Sequence, residues 1–248
     1  MEQSLPHSSL NLIPTAKIKE KLTSVLQACD VCSQRPLEAA NNIDGVCKKC
    51  AITIVLYNRY IDSNIPLEFW PIKMEKGFAG DARLLKRYNE IAADIKTIYT
   101  NGTALCFAGG HGLGKTTTLT AVLKKACQKG YSCLYSDMSS VVSTLTQSSG
   151  EDKFLARRQL ILTDFLAIDE IDQRFFNQSN AANDLFARTL ESILRTRLQN
   201  KLPIFMATNS PNIKESFHSL FKDSLGSLWN RIETISIMPG NDFRKSAQ

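Results

Sequence analysis

The residues best suited to chemistry lie near the middle of the chain, in the stretch 109-GGHGLGKTTT-118. Its glycines leave backbone N–H groups open, Lys115 follows them, and the hydroxyl of Thr116 comes next. Open amides, a lysine and a helix N-terminus bind phosphate groups, and such a hydroxyl ligates Mg²⁺. The spacing therefore predicts a site for a nucleoside triphosphate with Mg²⁺. The residues predicted to contact the nucleotide are Gly109, Gly110, His111, Gly112, Leu113, Gly114, Lys115, Thr116 and Thr117.

Two neighbouring carboxylates end a second apolar run, 165-FLAIDEID-172. We predict that Asp169 holds Mg²⁺ through its water shell and that Glu170 polarises the attacking water. The alternative is an acidic strand end at the surface. Asp172 is predicted to have a structural role.

A third polar strand end lies in 203-PIFMATN-209. We predict that Asn209 holds the lytic water or touches the γ-phosphate. The alternative is an asparagine that begins a turn before Pro211. Together with the phosphate loop and the acidic strand end, this motif predicts hydrolysis of the bound triphosphate.

Four of the seven cysteines form two C-x2-C pairs, 29-CDVC-32 and 47-CKKC-50. The spacing predicts a tetrahedral Zn²⁺ site with Cys29, Cys32, Cys47 and Cys50 as ligands. Four protein ligands leave no position open for water, so the site is predicted to be structural, and metal binding would supply much of the folding energy of this region. The alternative is four unrelated reduced cysteines.

Short apolar runs alternate with helical patterns from residue 82 onward, which is typical of a parallel sheet in an α/β domain. We therefore divide the chain into a small helical zinc-binding module (1–63), a joint (64–81) and a P-loop domain with a parallel sheet (82–248). The joint contains prolines and glycines and is expected to dock through Phe69 and Trp70.

Composition favours a soluble cytoplasmic protein. The 248 residues are 43% hydrophobic, and the longest apolar runs are far too short to span a bilayer. The N-terminus lacks the basic and apolar regions of a secretory signal. The net charge is +6, and the positive excess falls after residue 75, which suits a polyanionic partner.

The order GGHGLGKTTT, LAIDEID, IFMATN and 226-GSLWNRIE-233 resembles that of AAA+ ATPases. With the joint motif NIPLEFW and the ending 239-PGNDFRK-245, it is similar to bacterial helicase loaders of the DnaC/DnaI class and to the related IstB transposition ATPases. The resemblance covers roughly residues 65–248 and implies ATP as the nucleotide. Since 39 residues follow Asn209 in the sequence, we expect no helical lid domain of the kind that most AAA+ proteins carry.

The resemblance also implies roles for two arginines. Arg231 matches the arginine finger that reaches the γ-phosphate of a neighbouring subunit, and Arg197 matches a second arginine that contacts the nucleotide. The alternative for Arg231 is a surface residue at a helix end. A shared site implies self-association through the ATP sites. Without a lid domain the nucleotide is poorly enclosed by its own chain, so we expect weak ATPase activity by the chain alone and stimulation by single-stranded DNA or helicase.

The functional expectation is an ATP-dependent loader of a hexameric replicative helicase onto single-stranded DNA. The alternatives are an IstB-like ATPase that helps a transposase select or remodel target DNA, and an interaction module whose P-loop serves only folding. The N-terminal module resembles the zinc-binding, helicase-contact domain of DnaI-type loaders, although its two regular C-x2-C pairs depart from that domain. The candidate DNA contacts are Ser139, Ser140, Lys153, Arg157, Arg158, Phe175 and Phe176, whose alternatives are a solvated helix face and a packed loop.

Overall fold

The computed structural model describes residues 48–76, 78–171, 181–210, 212–213 and 228–237. The helices are α1 (Lys48–Asp62), α2 (Ala82–Ala93), α3 (Ile95–Asn101), α4 (Lys115–Gln128), α5 (Met138–Gln147), α6 (Gly150–Leu162) and α7 (Ala181–Gln199), with a 3₁₀ turn at Leu67–Phe69. The strands are β1 (Ala104–Ala108), β2 (Cys133–Asp137), β3 (Phe165–Asp169), β4 (Ile204–Thr208) and β5 (Glu233–Ser236). The strands thus coincide with the short apolar runs of the sequence.

The five strands form one parallel sheet in the order β2-β3-β4-β1-β5. β1, β3 and β4 are buried along their whole length, as expected for strands covered on both faces. In a parallel sheet all carboxyl ends meet at one edge, so the loops that follow β1, β3 and β4 converge there. This confirms the predicted α/β class with a P-loop core.

Hydrophobic clusters cover both faces of the sheet because alternate side chains of each strand point to opposite sides. Leu105 and Phe107 of β1 belong to the cluster that contains residues of α1, α2 and α4. Cys106 of the same strand belongs to the cluster with residues of α5, α6 and α7, which Trp229 also joins. The two clusters fix the strands from which the polar loops emerge.

The joint is anchored to α4. The indole N–H of Trp70 donates to the carbonyl of Ile65 at 2.8 Å, and the ring is buried, as predicted. Lys124 of α4 donates to the carbonyls of Phe69 at 2.6 Å and Ile72 at 2.5 Å. These bonds hold the joint against the same helix that begins at the phosphate loop. Helix α1 packs into the same cluster through Tyr60, so the described part of the predicted module 1–63 lies against the domain that contains the sheet.

Candidate nucleotide site

The polar residues that the sequence singled out are gathered at the carboxyl edge of the sheet. The phosphate loop follows β1, Asp169 ends β3 and Asn209 follows β4. Ala108 is aligned with Thr208 in the register of β1 and β4, so the two strands end at the same level. Parallel pairing therefore brings together motifs that lie about a hundred residues apart.

Lys115 makes the direct connection between two of these motifs. Its ammonium donates to the carbonyls of Gly109 at 2.8 Å and Gly110 at 2.5 Å, and to the side-chain oxygen of Asn209 at 2.9 Å. Only 7% of the residue is exposed. The ammonium of Lys115 thus lies inside the loop. Phosphate oxygens of a bound nucleotide would have to displace only neutral acceptors from it.

The first turn of α4 is prepared for an anion. The helix begins at Lys115 and carries no acidic residue in its first turn, so the positive end of the helix dipole is not neutralised there. Thr116 and Thr117 lie half-buried in that turn, where the threonine hydroxyl of a P-loop ligates Mg²⁺. The geometry fits a triphosphate and its metal ion.

Phe78 packs on the phosphate loop, a contact that the sequence reasoning missed. Gly114 has φ +87°, and a Cβ there would lie 2.8 Å from the ring of Phe78 and 3.2 Å from Cα of Gly80. The N–H of Asp81 donates to the carbonyl of Leu113 at 3.1 Å. The signal that could have revealed this is the aromatic residue between two glycines in 77-GFAG-80. The end of the joint therefore forms part of the wall of the loop.

Asp169 is oriented by neutral donors. Its Oδ2 accepts from the hydroxyl of Tyr135 at 3.0 Å and its Oδ1 from the N–H of Glu170 at 2.7 Å, and 4% of the residue is exposed. Burial and the charge of Asp169 raise the pKa of Tyr135, which keeps its hydroxyl protonated as a donor. Among the described side chains no lysine or arginine is ion-paired with Asp169. A buried carboxylate without a basic partner suits a divalent cation.

Glu170 is held in a constrained backbone conformation beside it. Its φ is +52°, which is uncommon for a residue other than glycine and recurs at functional sites, and its side chain is exposed. The turn is fixed to β4, since the N–H of Ile171 donates to the carbonyl of Ala207 at 3.0 Å and the hydroxyl of Thr208 donates to the carbonyl of Ile171 at 2.6 Å. Thr208 and Tyr135 are thus positioning residues for the two carboxylates.

Arg197 does not lie at this site, which corrects the sequence-based expectation of a nucleotide contact. Its guanidinium is fully buried and donates to the carbonyls of Pro203 at 2.6 Å, Leu160 at 3.0 Å and Asp164 at 3.2 Å. Pro203 and Asp164 directly precede β4 and β3, so the residue lies at the amino edge of the sheet. Burial lowers the pKa of Arg197 to about 9 against the opposing charge of Asp164.

Arg231 also lies at the amino edge. It precedes β5 by two residues, is exposed, and donates to the carbonyl of Leu198 at 2.7 Å. A strand of five residues spans roughly 16 Å, so Arg231 is separated by this length from the phosphate loop of its own chain. A role for Arg231 in its own nucleotide site is therefore excluded, while a role in the site of a neighbouring copy stays a prediction.

Several predicted residues lie outside the described ranges. These are Cys29, Cys32, Cys47, the side chain of Cys50, Asp172, Phe175 and Phe176. Within the ranges that the structure does describe, no group of three or more His, Cys, Asp or Glu side chains could hold a metal ion. No helix in those ranges is long and apolar enough to cross a membrane.

Solved structures with the same fold include DNA replication proteins. The chain is similar to DnaI (TM-score 0.54, 16% identity, covering 70% of this chain and 93% of that one) and to the DnaC helicase loader (0.55, 18%, 68% and 99%). It is also similar to the replication initiator DnaA bound to AMPPCP and single-stranded DNA (0.57, 17%, 73% and 53%). The match spans only about half of the length of that initiator. At these identities the similarity shows the fold alone.

The sequence itself assigns the family. Among curated proteins none matches the chain. Residues 81–225, more than half of the chain, match the family described as IstB-like ATP-binding protein. The matched range contains the phosphate loop, both carboxylates and Asn209. The chain therefore belongs to the IstB-like family of ATP-binding proteins.

Proposed function

We propose that the chain is an ATPase that uses ATP to place a hexameric replicative helicase on single-stranded DNA. The observation that carries the enzymatic part is the convergence at one sheet edge of Lys115, Asn209 and the pair Asp169–Glu170. The 2.9 Å contact between Lys115 and Asn209 links the phosphate loop to β4. Such an arrangement serves phosphoryl transfer, in which catalysis consists of positioning and charge stabilisation.

Each residue then has one task in hydrolysis. Lys115 neutralises oxygens of the β- and γ-phosphates, and Thr116 and Asp169 would hold Mg²⁺, which supplies further charge neutralisation there. Glu170 accepts a proton from water while the water oxygen bonds to the γ-phosphorus. The bond between that phosphorus and the β–γ bridging oxygen breaks, so ADP leaves and inorganic phosphate forms. Asn209 orients the water or the γ-phosphate.

A second copy of the chain completes the pocket. Because Arg231 lies at the amino edge of the sheet, away from its own phosphate loop, we assign its guanidinium to the site of a neighbouring subunit. In the single chain the guanidinium donates to the carbonyl of Leu198, and it would have to leave this acceptor to reach a neighbouring site. An arginine supplied in trans contributes about 10³–10⁵ in rate in comparable enzymes. We therefore infer weak activity in the monomer and self-association through the ATP sites.

Helix α6 offers the surface for single-stranded DNA. Lys153, Arg157 and Arg158 are exposed on it, and Phe154 is 63% exposed beside them. Cations that follow a phosphate backbone and an aromatic ring on which a base stacks are the elements of single-strand binding. Phe154 was not among the sequence-based candidates. Ser140 was, but its hydroxyl donates to the carboxylate of Asp137, which caps the N-terminus of α5.

Phe154→Ala tests this surface with fluorescence anisotropy of a labelled oligo-dT. Stacking contributes about 1–3 kcal/mol per base, so we expect roughly tenfold weaker binding or more. Leu162→Ala on the same helix, where Leu162 is 53% exposed, is the matched control and should bind as the parent does. Affinity that does not fall with added salt would argue against phosphate contacts at this helix.

The N-terminal region is proposed to bind the helicase. Cys29, Cys32, Cys47 and Cys50 would hold a structural Zn²⁺ that orders residues 1–63 as a docking unit. Metal content measured on the purified full chain, and on a variant with Cys29→Ser and Cys32→Ser, tests the zinc site. Equal zinc content in the two proteins would exclude it.

The loader assignment is tested by mixing the full chain with purified hexameric helicase in the ATP-bound, ADP-bound and nucleotide-free states. A complex that forms and places helicase on single-stranded DNA is expected. Absence of a complex in every state would remove the loader function and leave the ATPase.

The family match favours a second function, assistance of a transposase by an ATPase that selects or remodels target DNA. It shares the nucleotide site and differs in the partner. Stimulation of ATP hydrolysis by duplex DNA and a transposase, without stimulation by helicase, would select this function over helicase loading.

A further inference from the structure

A cavity of about 280 Å³ lies outside the nucleotide site, between α1, the joint, α2 and α4. Aromatic side chains form much of its wall. The rings of Tyr57 and Trp70 are stacked with centroids 5.0 Å apart, and Tyr60 meets Trp70 edge-on at 5.8 Å. Tyr88 of α2 closes another side. Rigid aromatic surfaces of this kind favour an apolar or aromatic group as the occupant.

The charged residues around the cavity are mostly cations. Lys73 is exposed on the joint and Lys125 is half-buried in the last turn of α4, and both line the cavity. The ammonium of Lys124 lies deeper and is bound by joint carbonyls. Among the described lining residues, Glu75 supplies the one carboxylate, and it accepts from the hydroxyl of Tyr88 at 3.3 Å. The electrostatic field at the cavity therefore favours an occupant with negative charge around its apolar group.

We propose that this cavity is a docking site for an acidic peptide segment of a partner protein, which places an aromatic side chain against Tyr88 and the stacked pair of Tyr57 and Trp70. The exposed Lys73 and the half-buried Lys125 then meet the acidic flanks. A nucleic acid strand would need a longer track of cations than these two lysines provide. The site goes beyond the proposed ATPase function, because no residue of the nucleotide site lines it.

The joint connects the cavity to the phosphate loop. Ile72 and Glu75 line the cavity, whereas Phe78 and Asp81, a few residues later, contact Gly114 and Leu113 of the loop. A segment seated in the cavity therefore contacts the stretch of chain that leads to Phe78 and Asp81 at the phosphate loop.

Fluorescence anisotropy with the full chain tests the site, using fluorescein-labelled peptides EEGWGEE, KKGWGKK and EEGAGEE. The first peptide should bind at least about tenfold more tightly than either of the others, because only it offers both the ring and the negative flanks. Equal binding of the acidic and basic peptides, or of the tryptophan and alanine peptides, would overturn the proposal.

Two matched pairs of variants locate the binding. Thr53→Trp fills the cavity from α1, whereas Val55→Trp places the same ring on an exposed position of that helix outside the lining. Lys73→Glu with Lys125→Glu reverses the charge at the cavity, and Lys86→Glu with Lys129→Glu makes the same change on exposed positions elsewhere. We expect about tenfold weaker binding of EEGWGEE only in the first member of each pair.

ATP affinity is measured on every variant and is expected to stay at the parental value. If a test variant and its control bind EEGWGEE equally well, the docking site is excluded. The ATPase proposal stands in that case as long as ATP affinity stays at the parental value. Loss of ATP binding in the parent chain would instead remove the ATPase proposal without bearing on the peptide result.

Discussion

The ammonium of Lys115 and the side-chain oxygen of Asn209 lie 2.9 Å apart, although 94 positions separate them in the chain. The contact spans the gap between the phosphate loop and the end of β4, and Lys115 is otherwise held by two carbonyls of its own loop. Phosphate oxygens carry a full charge and are stronger acceptors than an amide or a carbonyl. Binding of a triphosphate is therefore expected to draw Lys115 from these acceptors and release Asn209 for the γ-phosphate or the water.

Asn209→Ala should separate hydrolysis from binding. We expect hydrolysis to fall by about 10²-fold, as for loss of one polar group that stabilises a transition state, with a small change in ATP affinity. Lys115→Ala should reduce both. Asn101→Ala, an exposed asparagine at the end of α3, is the control and should match the parent. Steady-state phosphate release and calorimetric ATP binding provide the measurements, and parental turnover in Lys115→Ala would refute the site.

Tyr135→Phe should weaken the response to Mg²⁺. The change removes the hydroxyl that donates to Asp169 at 3.0 Å and leaves the ring in place. A hydrogen bond to a charged group contributes about 1.5–3 kcal/mol, so the Mg²⁺ concentration for half-maximal hydrolysis should rise about tenfold or more. Tyr131→Phe, whose ring packs on Tyr99 and Phe165, keeps the aromatic contacts and is the control. An unchanged Mg²⁺ requirement in Tyr135→Phe would show that the hydroxyl does not position Asp169.

Arg231 is predicted to act on the neighbouring chain, and mixing of two inactive variants tests this. Lys115→Ala lacks its own pocket but keeps the finger, and Arg231→Ala keeps the pocket but lacks the finger. Mixed oligomers contain intact shared sites, so turnover should reappear in the mixture under the conditions in which the parent is active. If the mixture stays as inactive as its components, the shared-pocket arrangement is wrong.

The sequence revealed the strand ends because they combine a long apolar run with a polar terminus, as at Asp169 and Asn209. It revealed the phosphate loop because glycine spacing reports directly on backbone geometry. Phe78 could not be assigned in the same way, since its contact with Gly114 depends on how the joint folds back on the loop. The role of Tyr135 could not be predicted, because the sequence around it is that of an ordinary strand. Only the pairing of β2 with β3 brings its hydroxyl to Asp169.

Arg197 shows the opposite error. Its position before a strand matches a motif of the resembled family, but the structure uses the guanidinium to satisfy carbonyls before β3 and β4. A motif match gives the position of a residue along the chain. Whether that residue lies at the amino edge or the carboxyl edge of the sheet depends on where the helix ends relative to the strand. Burial, which decides between the two roles, cannot be read from the residue type.

Arg197→Met should therefore reduce stability and leave nucleotide chemistry unchanged. It leaves several buried carbonyls without their donor, and breaking a buried polar network in this way costs about 3–5 kcal/mol. Urea unfolding should show this loss, while ATP affinity of the folded variant should equal that of the parent. Arg195→Met, which removes an exposed partner of Glu191, is the control and should cost less than about 1 kcal/mol. A selective loss of ATP affinity in Arg197→Met would restore the nucleotide-contacting role.

Lys124 should make the free energy of unfolding depend on pH in the alkaline range. Burial lowers the pKa of its ammonium from 10.5 to about 8, and the charge of Glu75 opposes this shift. Between about pH 8 and pH 10 the unfolded chain therefore binds more protons than the folded chain, so this lysine makes the free energy of unfolding rise with pH in that window. Lys124→Met removes the titrating group and should flatten this part of the profile. Urea unfolding of both proteins from pH 7.5 to pH 10, compared as the difference between them, isolates the lysine from other groups that titrate there. If the difference is constant across that range, the ammonium titrates near its ordinary value and the carbonyls of Phe69 and Ile72 offset its burial.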